Sequence, residues 1–171
     1  MQKTKKQKNI GISLVETIIY VAIFSMIVTT FVSFSSSMTT TRLHSQMTLE
    51  INDQGSKAMK IITQAIRNAS GVNSPTIGNS ASNLSLTMYS SPINPTVFSS
   101  SSGVLYITEG TGGQIALTNN KVVLSGLNFS NFSRASTSDI IKISFTLTSG
   151  TSGGLGGSYA YTFNGSAQIR K

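Results

Sequence analysis

The sequence has no cysteine and no tryptophan, only three prolines, one histidine and five acidic residues in 171 positions. Without cysteine there is no disulfide framework and no thiolate metal site. The single histidine, His44, begins a polar helical stretch and reads as a solvated or interfacial side chain rather than a ligand or base. The acids are as sparse: Glu50 and Asp53 fall on a helix and Glu109 and Asp139 in the strand-rich remainder, with no two in a catalytic pattern. Gly150-Thr151-Ser152-Gly153-Gly154 matches the G-x-S-x-G nucleophile pattern only formally. It lies in a Gly/Ser loop and has no strand-to-helix context and no downstream histidine. No phosphate-binding loop, dinucleotide fingerprint or zinc spacing is present. No catalytic residue, cofactor or metal is therefore expected, and the chain is expected not to be an enzyme.

What the chain does have is hydroxyl groups and an uneven charge. It carries 29 Ser and 20 Thr, so its surface polarity comes from neutral hydrogen-bonding side chains while charged residues make up only 11%. Thirteen Lys and Arg against five acids give a net charge of +8. Four of those cations, Lys3, Lys5, Lys6 and Lys8, sit together in residues 1–11. From Ile12 to Phe34 follow 23 residues with no Gly or Pro and one charge, Glu16. As a helix at ~1.5 Å per residue this run spans a ~30 Å hydrocarbon core with some tilt. Lysines before an apolar span keep the amino terminus in the cytoplasm.

Three interpretations compete for this segment. A cleaved secretory signal offers Ser33-Phe34-Ser35 as its processing site, but its apolar region normally runs only ~7–15 residues. An uncleaved signal anchor fits the length and gives no reason for a carboxylate near its start. A glutamate deep in a membrane helix costs roughly 2.5–3.5 kcal/mol, although one turn from the end it can reach the interface.

The neighbours of Glu16 favour the third. Lysines, then Gly11-Ile12-Ser13-Leu14-Val15-Glu16, then Thr17 and the apolar run, resemble the amino-terminal signature of type IV prepilins and related pseudopilins. In that pattern a Gly precedes the cut, an apolar residue, usually Phe, follows it, and [S/T]-L-[I/V]-E leads into a membrane helix; here Ile12 stands at the Phe position. The resemblance implies cleavage by a prepilin peptidase between Gly11 and Ile12, N-methylation of Ile12, and subunit assembly through Glu16. A glycine before the scissile bond leaves the extended backbone unobstructed. Cleavage exposes an amine at Ile12. That amine and the Glu16 carboxylate of a neighbouring subunit are each costly in an apolar core and tolerable as a pair. The implied partners are other pilin subunits bundled by their helices, the peptidase, an inner-membrane assembly platform, and the membrane before assembly.

The rest divides by periodicity. Residues 35–41, SSSMTTT, are poor helix formers and mark the exit from the membrane. From Arg42 to Ala69, Leu43, Met47, Ile51, Ala58, Ile62, Ala65 and Ala69 recur at helical spacing, so residues 35–70 are expected to form an amphipathic stalk helix ending near Ser70-Gly71. Gly55 interrupts it at a cost of about 1 kcal/mol. Residues 71–171 turn to period two and are expected to form a β-rich extracellular head. Strands are expected at Leu84–Met88, Thr96–Ser99, Val104–Glu109, Gln114–Thr118, Lys121–Leu124, Leu127–Phe132, Ile141–Leu147 and Tyr159–Phe163. Short turns between them favour an antiparallel meander under the helix, an α+β pilin-type fold. Ser149 to Ser158, with five glycines, reads as a flexible tip loop. Asn68-Ala69-Ser70 and Asn131-Phe132-Ser133 match the glycosylation tripeptide, as chance allows in so Ser-rich a chain.

These features make the chain a minor pilin or J-type minor pseudopilin by resemblance, a filament subunit first held in the cytoplasmic membrane with its amino terminus inside. The alternatives are a signal-anchored surface adhesin that never polymerises and a competence pilin contributing to DNA uptake. Nucleic acid is weakly supported, because the nine cations outside the leader are spread along the chain and only Arg170 and Lys171 adjoin.

Overall fold

The computed structural model describes residues 13–134, 138–150 and 157–170. One helix, α1, runs unbroken from Leu14 to Asn68 over 55 residues, with Glu16 in its first turn and Arg67 in its last, both complementary to the helix dipole. It runs through residues 35–41, as the expected stalk helix requires, although this stretch is built of poor helix formers. There Thr39 donates to the Ser35 carbonyl, and Thr40 and Thr41 both donate to that of Ser37, at 2.9–3.1 Å. These hydroxyls bond to the helix's own carbonyls instead of competing with its ladder. Good helix formers on both sides meet the nucleation cost once for the whole element.

The chain separates into two compact units, divided between Thr41 and Arg42. The first, in its described part, consists of the opening turns of α1. The second holds the remainder of α1 and all the strands: β1 (Ala69–Ser74), β2 (Ser80–Ala81), β3 (Leu84–Met88), β4 (Thr96–Ser101), β5 (Val104–Glu109), β6 (Ile115–Ala116), β7 (Val122–Asn131), β8 (Ile140–Gly150) and β9 (Ser158–Gln168). A 3-10 turn at Ser91–Ile93 joins β3 to β4. The fold is α+β.

Two antiparallel sheets replace the single meander. One has the order β1-β3-β4-β5-β6 and the other β2-β7-β8-β9. Both contain a consecutive meander, so local connectivity follows the turn signals, but β1 joins the first sheet beside β3 and β2 joins the second beside β7. The expected pair Lys121–Leu124 and Leu127–Phe132 is one strand, β7, with a register shift between Ser125 and Asn128. Gly126 lies in that bulge at φ 62°, a conformation a side chain resists.

The alternation along β8 and β9 sends Ile141, Ile143, Phe145 and Leu147 inward, opposite Ala167, Gly165, Phe163 and Tyr161 respectively. Helix residues Ile51, Ala58, Ile62 and Ile66, at spacings of seven, four and four, are completely buried in the same cluster as Leu84, Phe98 and Phe129. Gly55 belongs to that helical stripe. A Cβ built on it would sit 2.0 Å from the Phe163 ring, which is itself stacked on Phe145 at 5.3 Å. The glycine that weakens the helix in isolation is what lets an aromatic ring lie against its backbone.

Candidate assembly helix

The candidate site residues lie at the amino-terminal end, and the described part begins within them. Lys3, Lys5, Lys6, Lys8, Gly11 and Ile12 lie outside the described residues. Glu16 lies inside, in the first turn of α1, exposed. The Tyr20 hydroxyl donates to its Oε1 at 3.0 Å. This i, i+4 contact holds the carboxylate along the helix, and its other oxygen has no partner among the described residues. Tyr20 was legible only as part of the apolar run; the four-residue spacing was the signal that could have marked it as Glu16's partner.

Beyond that carboxylate the helix surface is largely apolar. Fourteen large side chains between Leu14 and Phe34 are 42–75% exposed, among them Ile23, Phe24, Met26 and Phe31. An 18-residue window of this segment has a mean hydropathy of 2.1 with none of it buried in the protein, so the helix is long and apolar enough to cross a membrane. Exposed apolar patches beyond a few hundred Å2 mark surfaces that something else covers. At about 1.5–3 kcal/mol for each fully covered side chain, leaving fourteen side chains 42–75% exposed is an imbalance on the order of 20 kcal/mol.

Several hydroxyls of this stretch close onto its own backbone. Ser25 donates to the Ala22 carbonyl, Thr29 to Ser25 and Thr30 to Met26, all at 2.8–2.9 Å. A hydroxyl closed onto its own backbone carries little cost into hydrocarbon or a packed bundle. Met26, Ile27, Thr30, Phe31 and Phe34 also frame a shallow apolar groove of about 540 Å3 along one side.

In the second unit, polar side chains gather where α1 passes the turn before β7. Glu50 accepts from Asn119 Nδ2 at 2.7 Å and from Gln54 Nε2 at 3.1 Å, with Lys121 Nζ 3.8 Å away. The Asn119 amide is the main reason its carboxyl sits below the ordinary carboxylate range; partial burial works against it, and Gln54 and Lys121 assist. Asn119 read as a turn residue alone, and nothing in the sequence paired it with a glutamate 69 positions earlier. His44 is exposed, its ring edge-to-face with Tyr159 at 5.4 Å. Asn131 of the second glycosylation tripeptide is buried and donates to the Pro75 carbonyl at 2.8 Å, so it is not presented for modification. The Gly-rich loop falls mainly on residues 151–156, outside those described, and its outer residues Ser149, Gly150 and Ser158 belong to β8 and β9.

No protein-family model, curated protein or solved structure matches the chain.

Proposed function

We propose that this chain is a non-enzymatic subunit of a cell-surface filament of the type IV pilus or type II secretion kind, a minor pilin or pseudopilin. In this proposal prepilin peptidase cleaves it after Gly11 and it assembles through α1. The observation that carries the proposal is the conjunction at the start of that helix. A carboxylate with one oxygen unpartnered among the described residues, Glu16, stands at the head of an exposed apolar surface on which the Ser25, Thr29 and Thr30 hydroxyls are internally bonded. A surface of that kind suits two environments in turn. Lipid covers it first, with the lysines on the cytoplasmic side, and the same helices of other subunits cover it after assembly.

Glu16 then acts as a register device. The new amine at Ile12 of an incoming subunit pairs with the carboxylate of its neighbour, and the desolvation cost of an unpaired charge penalises any other axial offset. A helix continuous into the head, α1, packed on antiparallel sheets is compatible with the pilin architecture that the Gly11–Glu16 motif resembles.

Mass spectrometry of the mature amino terminus tests the proposal. A chain beginning at N-methylated Ile12 is expected. A start at Met1 means an uncleaved anchor, and a start after Ser35 means ordinary secretion. Glu16→Ala is expected to lower incorporation into filaments by tenfold or more with leader removal intact. Normal incorporation of the variant removes the register role.

A further inference from the structure

After Lys57, α1 carries cations and no acid. Lys60, Gln64 and Arg67 follow at spacings of four and three, on one side of the helix. The chain returns to that side about a hundred residues later, where the backbone N–H of Arg170 donates to the Arg67 carbonyl at 3.4 Å. Lys60, Arg67 and Arg170, dispersed in the sequence, thus border one cleft of about 550 Å3, together with the neutral hydrogen-bonding side chains of Thr63, Gln64 and Asn68. Arg67 and Arg170 also border a second cleft of about 500 Å3 on their other side. Among the described residues no carboxylate lines either. The Asp139 carbonyl accepts from the Ile169 N–H at 3.0 Å beside the second cleft.

The contrast with the preceding turns is sharp. Lys57 is matched by Asp53 at 2.7 Å and Lys121 by Glu50 at 3.8 Å, whereas among the described residues Lys60, Arg67 and Arg170 have no ion pair. The helix dipole accounts for Arg67, in the last turn, and gives no reason for Lys60 two turns earlier or for Arg170.

We propose that this groove binds a linear phosphodiester polymer through its phosphates. Guanidinium forks and an ammonium, flanked by neutral donors and free of competing carboxylates, suit phosphate oxygens. No aromatic side chain lines either cleft, so bases have no stacking platform and recognition is of the backbone, independent of sequence. The proposal stands independently of the filament assignment.

The test uses the full chain in nanodiscs of neutral phosphatidylcholine, titrated with a short fluorescent DNA duplex and, in parallel, with poly(glycerol phosphate), which has phosphodiesters and no bases. Three contacts contribute about 2.7 to the slope of log affinity against log salt, equivalent to about a 40-fold loss between about 50 and 200 mM. The K60Q/R67Q/R170Q variant is expected to be shallower by that amount on duplex. Each single variant is expected to be shallower by about 0.9, so the slope can still be read if the triple variant folds poorly. The leader lysines are common to all variants and cancel. Parallel losses on both polymers assign the groove to phosphodiesters generally; loss on the duplex alone assigns it to nucleic acid. The proposal is overturned if the triple variant keeps the wild-type slope, if K142Q on the outer face of β8 changes it as much, or if the three substitutions weaken binding to phosphatidylglycerol vesicles and to neither polymer.

Discussion

Between Leu14 and Phe34, α1 turns Ile23, Phe24 and Phe31 outward at 53–71% exposure, whereas between Ile51 and Ile66 the same helix buries Ile51, Ile62 and Ile66 completely. Backbone geometry is shared; what differs is where the apolar residues fall. In the second stretch they occupy one stripe, with Asn52, Lys57, Lys60 and Gln64 elsewhere on the circumference, so one face suffices to bury them. In the first they occupy the whole circumference, and no single sheet could cover them. A helix can be equally regular in both halves and be stabilised by its own protein in only one.

Two isoleucines break that comparison most directly. Ile62→Ala removes a completely buried side chain from the shared core and is expected to cost about 2–5 kcal/mol in the unfolding of the second unit. Ile23→Ala, on the same helix, is expected to change that transition by less than about 0.5 kcal/mol. Thermal or chemical denaturation of the detergent-solubilised chain, followed by near-ultraviolet circular dichroism, reads both. Comparable losses from the two substitutions mean that the first stretch also packs on the protein.

A smaller effect is expected at Gly55, where helix propensity and packing oppose each other. Alanine gains about 1 kcal/mol of propensity, but its Cβ must displace a Phe163 ring hemmed in by Phe145 and by Tyr161, 4.9 Å away edge-on. Overpacking of this kind costs about 1–3 kcal/mol, so Gly55→Ala is expected to destabilise by about 1 kcal/mol net. Combining it with Phe163→Leu should recover part of that loss, giving a coupling that a purely local helix effect lacks.

Elements written in neighbouring residues were legible: the apolar run, the helical stripe of Ile51, Ala58, Ile62 and Ile66, and the alternating strands at 84–88, 104–109 and 141–147. What depends on distant partners was not. β1, ASGVNS, has no alternation and forms because β3 offers it a ladder; β2 is two residues long and exists through Ser130 and Phe129 of β7. Gly55 read as a defect because Phe163 lies more than a hundred positions away. The helix through residues 35–41 was expected in spite of the poor propensity of Ser and Thr, but the bonds of Thr39, Thr40 and Thr41 back to α1 were not. Of the proposed assembly site, Glu16 was legible and Tyr20's contact with it was not, and the Lys60–Arg67–Arg170 groove could not be seen because its members sit far apart along the chain.

The smallest expected effect separates the two stretches by pH. Glu50 is held below the ordinary carboxylate range chiefly by Asn119, so its folded form binds its proton less readily than the unfolded chain does. A carboxyl depressed on folding adds stability that is full above its unfolded value, about 4.3, and lost as pH falls through the lower folded value. Asn119→Ala takes away the principal donor, and a hydrogen bond to a charged, partly exposed carboxylate is worth about 1 kcal/mol. The variant is expected to be less stable by about that amount at neutral pH and to lose less stability than wild type on acidification below about pH 4. The variant's Glu50 then has less of a proton deficit relative to the unfolded chain. An acid profile that merely shifts down in parallel assigns Asn119 to shaping the turn before β7. A profile that converges with wild type at low pH assigns it to the carboxylate. Such a charge-dependent anchor has meaning only in the packed stretch of α1, where the turn before β7 supplies Asn119 and Lys121 to meet the helix; in the exposed stretch Glu16 meets Tyr20 of its own helix and nothing from a strand.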